Sequence, residues 1–413
     1  MKNHHIKRKR INKIMTEICT VELSKQGLSD IPFNKIKTDV NWLILSDNKI
    51  KKIPKEIKTL KSLSRLALND NRIEEIDSSI GDCVGLSWMD LTRNRLRILP
   101  PELGALTRIS GLGLSENLFE AIPECVYKLK NLRKFGFFSN KVAWISPEIQ
   151  NLKNLVKLDL SNNSIESIPV EFCSLINLSW LNLSNNKIRH LPHEINNLKK
   201  LEELGLGMNE LEDLPNMSNL NALRILPVFK NRLKSIHTSL LTLKSIEKLD
   251  FSDNEIPEFP YIALYNPSLR YLNLRNNKIS EISSLRILDA LSSITMIDIS
   301  ENQISYLPYK LFKSFGQHTT IRLGSNPYEK KHPKISDEQS LLQICFTKIL
   351  NEKNKLDPWL NRMFVKRHIC DFCKCYFVVE PCYCYNYSYL DREHQFVVEK
   401  MLCSMKCLRK CED

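Results

Sequence analysis

An α/β horseshoe is the fold this sequence predicts: a solenoid of short parallel strands lining a concave face, then one helix, then a small zinc-finger-like tail. Three observations predict it. The pattern LxxLxLxxNxI, followed by xxIPxxIxxLxx, recurs at a period near 23 through most of the 413 residues. An amphipathic stretch with a helical period follows the last copy. Eight of the thirteen cysteines then crowd into Cys370 to Cys411, the density expected where a metal replaces a core too small to stand alone.

Residues 1–17 form a basic arm whose densest charge, Lys7 to Arg10, contributes to a formal net charge of +13. Such an arm is solvated, or serves as a nuclear address. The start lacks the apolar stretch of a signal peptide, and no window of eighteen apolar residues occurs, so neither secretion nor a membrane span is expected. Cys19 stands alone at the front of the repeats rather than in a pair, which points to a reducing, cytoplasmic compartment.

Residues 18–328 hold about fourteen copies, with clear ones starting at Val40, Leu63, Leu86, Ile109, Leu132, Leu155, Leu178, Leu201, Leu223, Ile246, Leu269 and Ile294. Side chains alternate along a strand, so LxL sends both leucines to one face, the interior. The asparagine that follows, from Asn48 to Asn302, sits where the chain leaves the strand, and its amide both donates and accepts, so stacked copies satisfy backbone groups at the turn. Ile or Leu before Pro, as in Ile53-Pro54 and Leu191-Pro192, returns the chain across the convex side as extended or short helical turns. No copy buries its apolar side alone, so stacking supplies the stability. This wording resembles the intracellular leucine-rich repeat proteins of the Ras-suppressor and Shoc-2 type. The resemblance implies a leucine-rich repeat solenoid and, for function, a signalling scaffold that binds a small GTPase or a phosphatase.

The x positions of the strand face outward onto the concave side, a surface of roughly 65 Å at about 4.8 Å per strand. That is room for a protein. Trp42, Trp88, Trp180, Ile225 and Tyr271 occupy the third position of their copies, and Phe138, Met208 and Phe229 follow the strands. Apolar and aromatic groups placed outward are interface anchors. Gly113, Gly136, Gly205 and Gly207 in the same copies leave room for another surface to approach the backbone.

Residues 329–366 read as a helical cap. Ser336 with Gln339 is a capping-box start, and the helix runs to about Lys353. Leu341, Leu342, Ile344, Cys345, Phe346, Ile349 and Leu350 spread over roughly 240° at about 100° per residue, more than the roughly 100° stripe one cap needs. The stretch SLLQICFTKI resembles the BC box of elongin-binding substrate receptors: Ser340 leads, Leu341 is the leucine, Cys345 the cysteine and Ile349 the closing apolar residue. The resemblance implies elongin B/C and a cullin as partners. Pro358, Trp359 and Leu360 offer a cullin-selecting box, but Asp357 stands where an apolar residue should precede the proline.

Residues 367–413 form the cysteine-rich tail. Cys370 and Cys373 make a CxxC knuckle, and Cys403 and Cys407 a CxxxC pair, spacings that close tetrahedrally on a structural zinc. YFVVEPC and HQFVVEKM between them read as strands. The tail resembles small intracellular leucine-rich proteins ending in CxxC…LCSxxC. No Ser-His-Asp set, phosphate loop or paired acid and base stands out, so the sequence reads as a non-catalytic protein-interaction module. Nucleic acid is not the expected partner, because basic and aromatic residues are not interleaved as in a known reader.

Overall fold

A computed structural model describes residues 19–288, 290–316 and 318–328, and the backbone of four strands between His368 and Leu402. The expected helix with Ser340, Leu341, Cys345 and Ile349 lies outside the described residues, as do residues 1–17 and Cys370, Cys373, Cys403 and Cys407. Two compact units emerge, one built on the chain up to Lys141 with Asn151–Leu155, the other on Val142–Gln150 and the chain from Val156 onward.

The copies supply fourteen strands, parallel to their neighbours within each unit. In the first unit these are Thr20–Glu22, Trp42–Ile44, Arg65–Ala67, Trp88–Asp90, Gly111–Gly113 and Lys134–Gly136. In the second they are Lys157–Asp159, Trp180–Asn182, Glu203–Gly205, Ile225–Pro227, Lys248–Asp250, Tyr271–Asn273, Met296–Asp298 and Thr320–Arg322. The inward leucines explain them: Leu43, Leu45, Leu66, Leu68, Leu158 and Leu160 are fully buried, and each such side chain contributes about 1.5–3 kcal/mol. Phe119, Phe135 and Phe137 fill the first unit's interior as a tilted aromatic cluster with centroids 5.2–5.3 Å apart.

From the second strand on, each strand ends because the residue before the asparagine turns left-handed, from Asp47 at φ 56° to Ser325 at φ 59°. That conformation is disfavoured for a side-chain-bearing residue, and the asparagine's hydrogen bonds hold it. Asn117 donates to the carbonyls of Leu91 (3.0 Å), Leu114 (3.1 Å) and Ser115 (3.1 Å), and its Oδ1 accepts from the Leu96 amide at 3.0 Å. In the second unit Asn209 does the same with Leu183, Leu206 and the Ile188 amide. The expected asparagine ladder is present.

Proline fixes how the opposite side of each coil begins. Pro54, Pro123 and Pro192 are the N-caps of five-residue 3₁₀-helices, Lys55–Thr59, Glu124–Lys128 and His193–Asn197, positions where a missing N–H is no loss. Beyond the copies, Cys382–Tyr389 pairs antiparallel with Gln395–Leu402, whose Val398 and Glu399 pair in parallel with Leu307 and Pro308. Of the strand expected over YFVVEPC, Tyr376–Phe377 is described as a strand and pairs antiparallel with His368–Ile369.

Candidate protein-binding faces

On the first unit's sheet the third positions line up in register: Trp42 beside Arg65, Arg65 beside Trp88, Trp88 beside Gly111, Gly111 beside Lys134. Trp42 and Trp88 are half-buried, whereas Arg65 and Lys134 are exposed. The Arg65 guanidinium carbon lies 5.3 Å from the Trp42 ring centre, a cation–π contact. Trp88 lies over Gly111, where a Cβ would come within 2.6 Å of Cδ1 of the indole. The Trp42 indole nitrogen is shielded from solvent and has no hydrogen-bond acceptor. Phe138 is half-buried, and its amide donates to Ser115 Oγ at 3.2 Å.

On the second unit's sheet the same row reads Lys157, Trp180, Glu203, Ile225, Lys248, Tyr271, Met296 and Thr320. Trp180, Ile225, Phe229 and Tyr271 are half-buried, and Met208 is the most open of the expected anchors, 41% exposed. Burial raises the Tyr271 phenol above its ordinary pKa, with the carboxylates of Asp250 and Asp298 adding to the shift. Asp159, Asp250 and Asp298 do not project for a partner. Each accepts from the amide and hydroxyl of the serine two residues on, as Asp250 does from Ser252 at 3.0 and 2.7 Å.

The expectation that glycine leaves open backbone is corrected. A Cβ at Gly113 would meet Asp90 Oδ1 at 2.5 Å, at Gly205 Asn182 Oδ1 at 2.6 Å, at Gly136 Ser115 Oγ at 3.1 Å, and at Gly207 the ring of Phe229. Side chains of adjoining copies already fill the room. These glycines seat neighbours, and Phe229 is half-buried because Gly207 receives it.

Sequence reasoning missed Arg65, Arg108, Arg133 and Lys134. Among the described residues none of the four has an ion pair, and all four are exposed. Reading the third position across copies, rather than picking out aromatics, would have shown Arg65 standing between two tryptophans. The lone cysteines Cys83, Cys125 and Cys173 are buried under the helical side. Burial pushes their thiols up, to about 11, about 11 and about 12, so they are packing groups rather than nucleophiles. A cavity of about 300 Å³ lies on the second unit's helical side, lined among others by Leu241, Phe259, Tyr261 and Ile262. There Arg286 lies 4.5 Å over the Tyr261 ring and 3.9 Å from Glu258.

These geometries define a stack of leucine-rich coils whose sheet faces carry the variable side chains. Family comparison agrees: residues 116–260 match a leucine-rich repeat region, 38–96 a leucine-rich repeat, and 267–310 a pair of leucine-rich repeats. The chain is a leucine-rich repeat protein, a fold that serves as a protein-interaction scaffold. A leucine-rich repeat protein of Leptospira interrogans is similar over 75% of this chain and 90% of its own, at 27% identity and a TM-score of 0.64. A TDR receptor is similar over 75% of this chain and 56% of its own, at 26% identity and a TM-score of 0.65. The plant peptide hormone receptor RGFR1, solved in complex with RGF2, is similar over 70% of this chain and 52% of its own, at 26% identity and a TM-score of 0.58. The chain therefore spans only about half the length of those two receptor structures. No curated protein gives a significant sequence match. Among the described residues no helix is long and apolar enough to cross a membrane.

Proposed function

We propose that this protein is the substrate-recognition subunit of an elongin B/C–cullin ubiquitin ligase, working in the cytoplasm. The sheet faces of the repeats hold the substrate, and Leu341, Cys345 and Ile349 dock in a groove of elongin C, with Ser340 leading the box. One observation carries the reading: the sequence Ser340–Ile349 fits the elongin box residue by residue and stands directly beyond a protein-binding array. Leu341, Cys345 and Ile349 are one helical turn apart, so they enter a groove together. The likeness to RGFR1, a receptor solved with RGF2 bound, supports the array as a binding surface. This chain would contribute proximity, and the transfer chemistry would belong to other subunits.

The tail would take one structural zinc on Cys370, Cys373, Cys403 and Cys407. The described strands His368–Ile369 and Gln395–Leu402 precede the two cysteine pairs in sequence, as a knuckle-bearing tail would have it. Zinc there would supply folding energy, not catalysis.

The test is co-purification of the full chain with elongin B and C, beside a Leu341→Ala, Cys345→Phe double variant. Capture by the wild type alone supports the reading. No capture by either, with equal zinc content and equal melting, sinks it. The repeat wording favours a second reading, a scaffold of the Shoc-2 or Ras-suppressor kind, which predicts capture of a small GTPase or a phosphatase unaffected by those two changes.

A further inference from the structure

We infer that the first unit's sheet face binds an extended acidic segment of a partner protein, with two carboxylates four residues apart and an apolar side chain midway between them. The inference rests on reading the chain as a protein-interaction module and adds the chemistry of what it holds. The row Trp42, Arg65, Trp88, Gly111, Lys134 runs across the strands in register. Arg65 is held against the Trp42 ring at 5.3 Å and has no carboxylate partner among the described residues. Lys134 has none either, and Arg108 and Arg133, also exposed and unpaired, border the same end of the strands.

Three acids of this face are committed elsewhere, and Glu22, exposed on the first strand, stands in register with Ile44 rather than in the row. Asp90 Oδ1 accepts the Thr92 amide at 3.0 Å, while Asp70 and Glu116 hold Arg93 at 3.3 and 3.0 Å. Those pairs sit at the other end of the strands. Among the described residues no acid pairs with Arg65 or Lys134, and an incoming carboxylate meets a guanidinium already ordered by stacking, which loses less freedom on binding.

Spacing fixes the segment. Strands stand about 4.8 Å apart, so Arg65 and Lys134, three strands apart, are about 14 Å from each other. An extended peptide rises about 3.4 Å per residue and turns residues i, i+2 and i+4 to one side. Carboxylates at i and i+4 reach the two cations, and the residue at i+2 falls between Trp88 and Gly111, over the indole.

The experiment is fluorescence anisotropy of a labelled twelve-residue peptide containing Glu-x-Leu-x-Glu, titrated with the full chain. Saturable binding is expected, weakened about tenfold or more by Arg65→Ala with Lys134→Ala, and by changing both glutamates to glutamine. Arg224→Ala with Arg275→Ala, which removes as much charge from the second unit, is expected to leave binding within about twofold. Melting curves of each variant check that the coils remain folded. Equal weakening by both double variants would mean attraction to net charge alone and would overturn the inference. So would undiminished binding of the glutamine peptide, an absence of saturation, or tighter Arg65-dependent binding of an oligonucleotide of equal charge. Elongin capture with no peptide binding removes this inference and leaves the ligase reading standing; peptide binding with no elongin capture does the reverse.

Discussion

The two units are stacked from the same coil and differ in what their arginines do. In the second unit Arg189 and Arg232 share Glu210, Arg224 grips Glu247 at 2.9 Å, Arg275 meets Glu301 at 2.7 Å, and Arg322 meets the buried Asp298 at 3.7 Å. Arg270 instead donates to three carbonyls. In the first unit Arg93 and Arg95 are paired, whereas Arg65, Arg72, Arg97, Arg108 and Arg133 have no ion pair among the described residues. Exposed pairs add little to stability, so pairing is not what stacks the coils. The contrast concerns the arginines' availability: the second unit's are satisfied internally, whereas the first presents Arg65 between half-buried tryptophans. Among the described residues, the free cations of the second unit's row are lysines, Lys157 beside Trp180 and Lys248 beside Tyr271.

If the scaffold is common to both units, substitutions in its shared parts should be equally damaging in each. Phe137→Ala and Phe251→Ala remove fully buried rings and are expected to destabilise by about 3–5 kcal/mol, read by denaturant unfolding. A large difference between them would break the equivalence. Asn117→Ala and Asn209→Ala come next, at about 3 kcal/mol, because each strands several buried carbonyls and one amide.

Smaller effects separate the units. Burial raises the thiols of Cys83, Cys125 and Cys173 above the ordinary value of 9.0. Their contribution is complete below pH 9 and is lost as pH rises toward 11 and 12, since the unfolded chain ionises first. At pH 8 a thiol reagent should label the half-exposed Cys19 well before these three, and equal labelling rates would contradict their burial. Acid acts on the second unit through Glu247 and Glu255, held below the ordinary carboxyl value by hydrogen bonds from Arg224 and Lys278. Their stabilisation is present above pH 4.5 and is lost as pH falls through the lowered values, so Glu247→Gln with Glu255→Gln should flatten the acid limb of a stability–pH curve slightly. The smallest effect is Trp42→Phe: the indole nitrogen has no acceptor, so melting should stay level or rise. A marked loss would mean that the N–H does hold something.

The coil was legible in the sequence because its rules are local. LxL fixes the strand and its buried face, the asparagine fixes the turn, and Ile-Pro begins the return. The left-handed residue before each asparagine was not read, although Asp or Asn at Asp47, Asp70, Asn162, Asn185, Asp253 and Asn276 signals it. The faces were harder, because a side chain's exposure depends on what stands 23 residues away. Phe229 looked outward in sequence and is half-buried because the next copy back offers Gly207; Trp88 is likewise seated by Gly111. Arg65 went unnoticed for the same reason, as its meaning comes from Trp42 on the neighbouring strand.

The most direct test of the contrast between the units is phenylglyoxal labelling of arginines in the folded full chain, followed residue by residue through peptide mass spectrometry. Arg65, Arg108 and Arg133 should be modified several times faster than Arg224 and Arg275, with the Glu-x-Leu-x-Glu peptide slowing Arg65 alone among the five by the largest factor. Equal rates in the two units, or faster labelling of Arg224 and Arg275, would contradict the account.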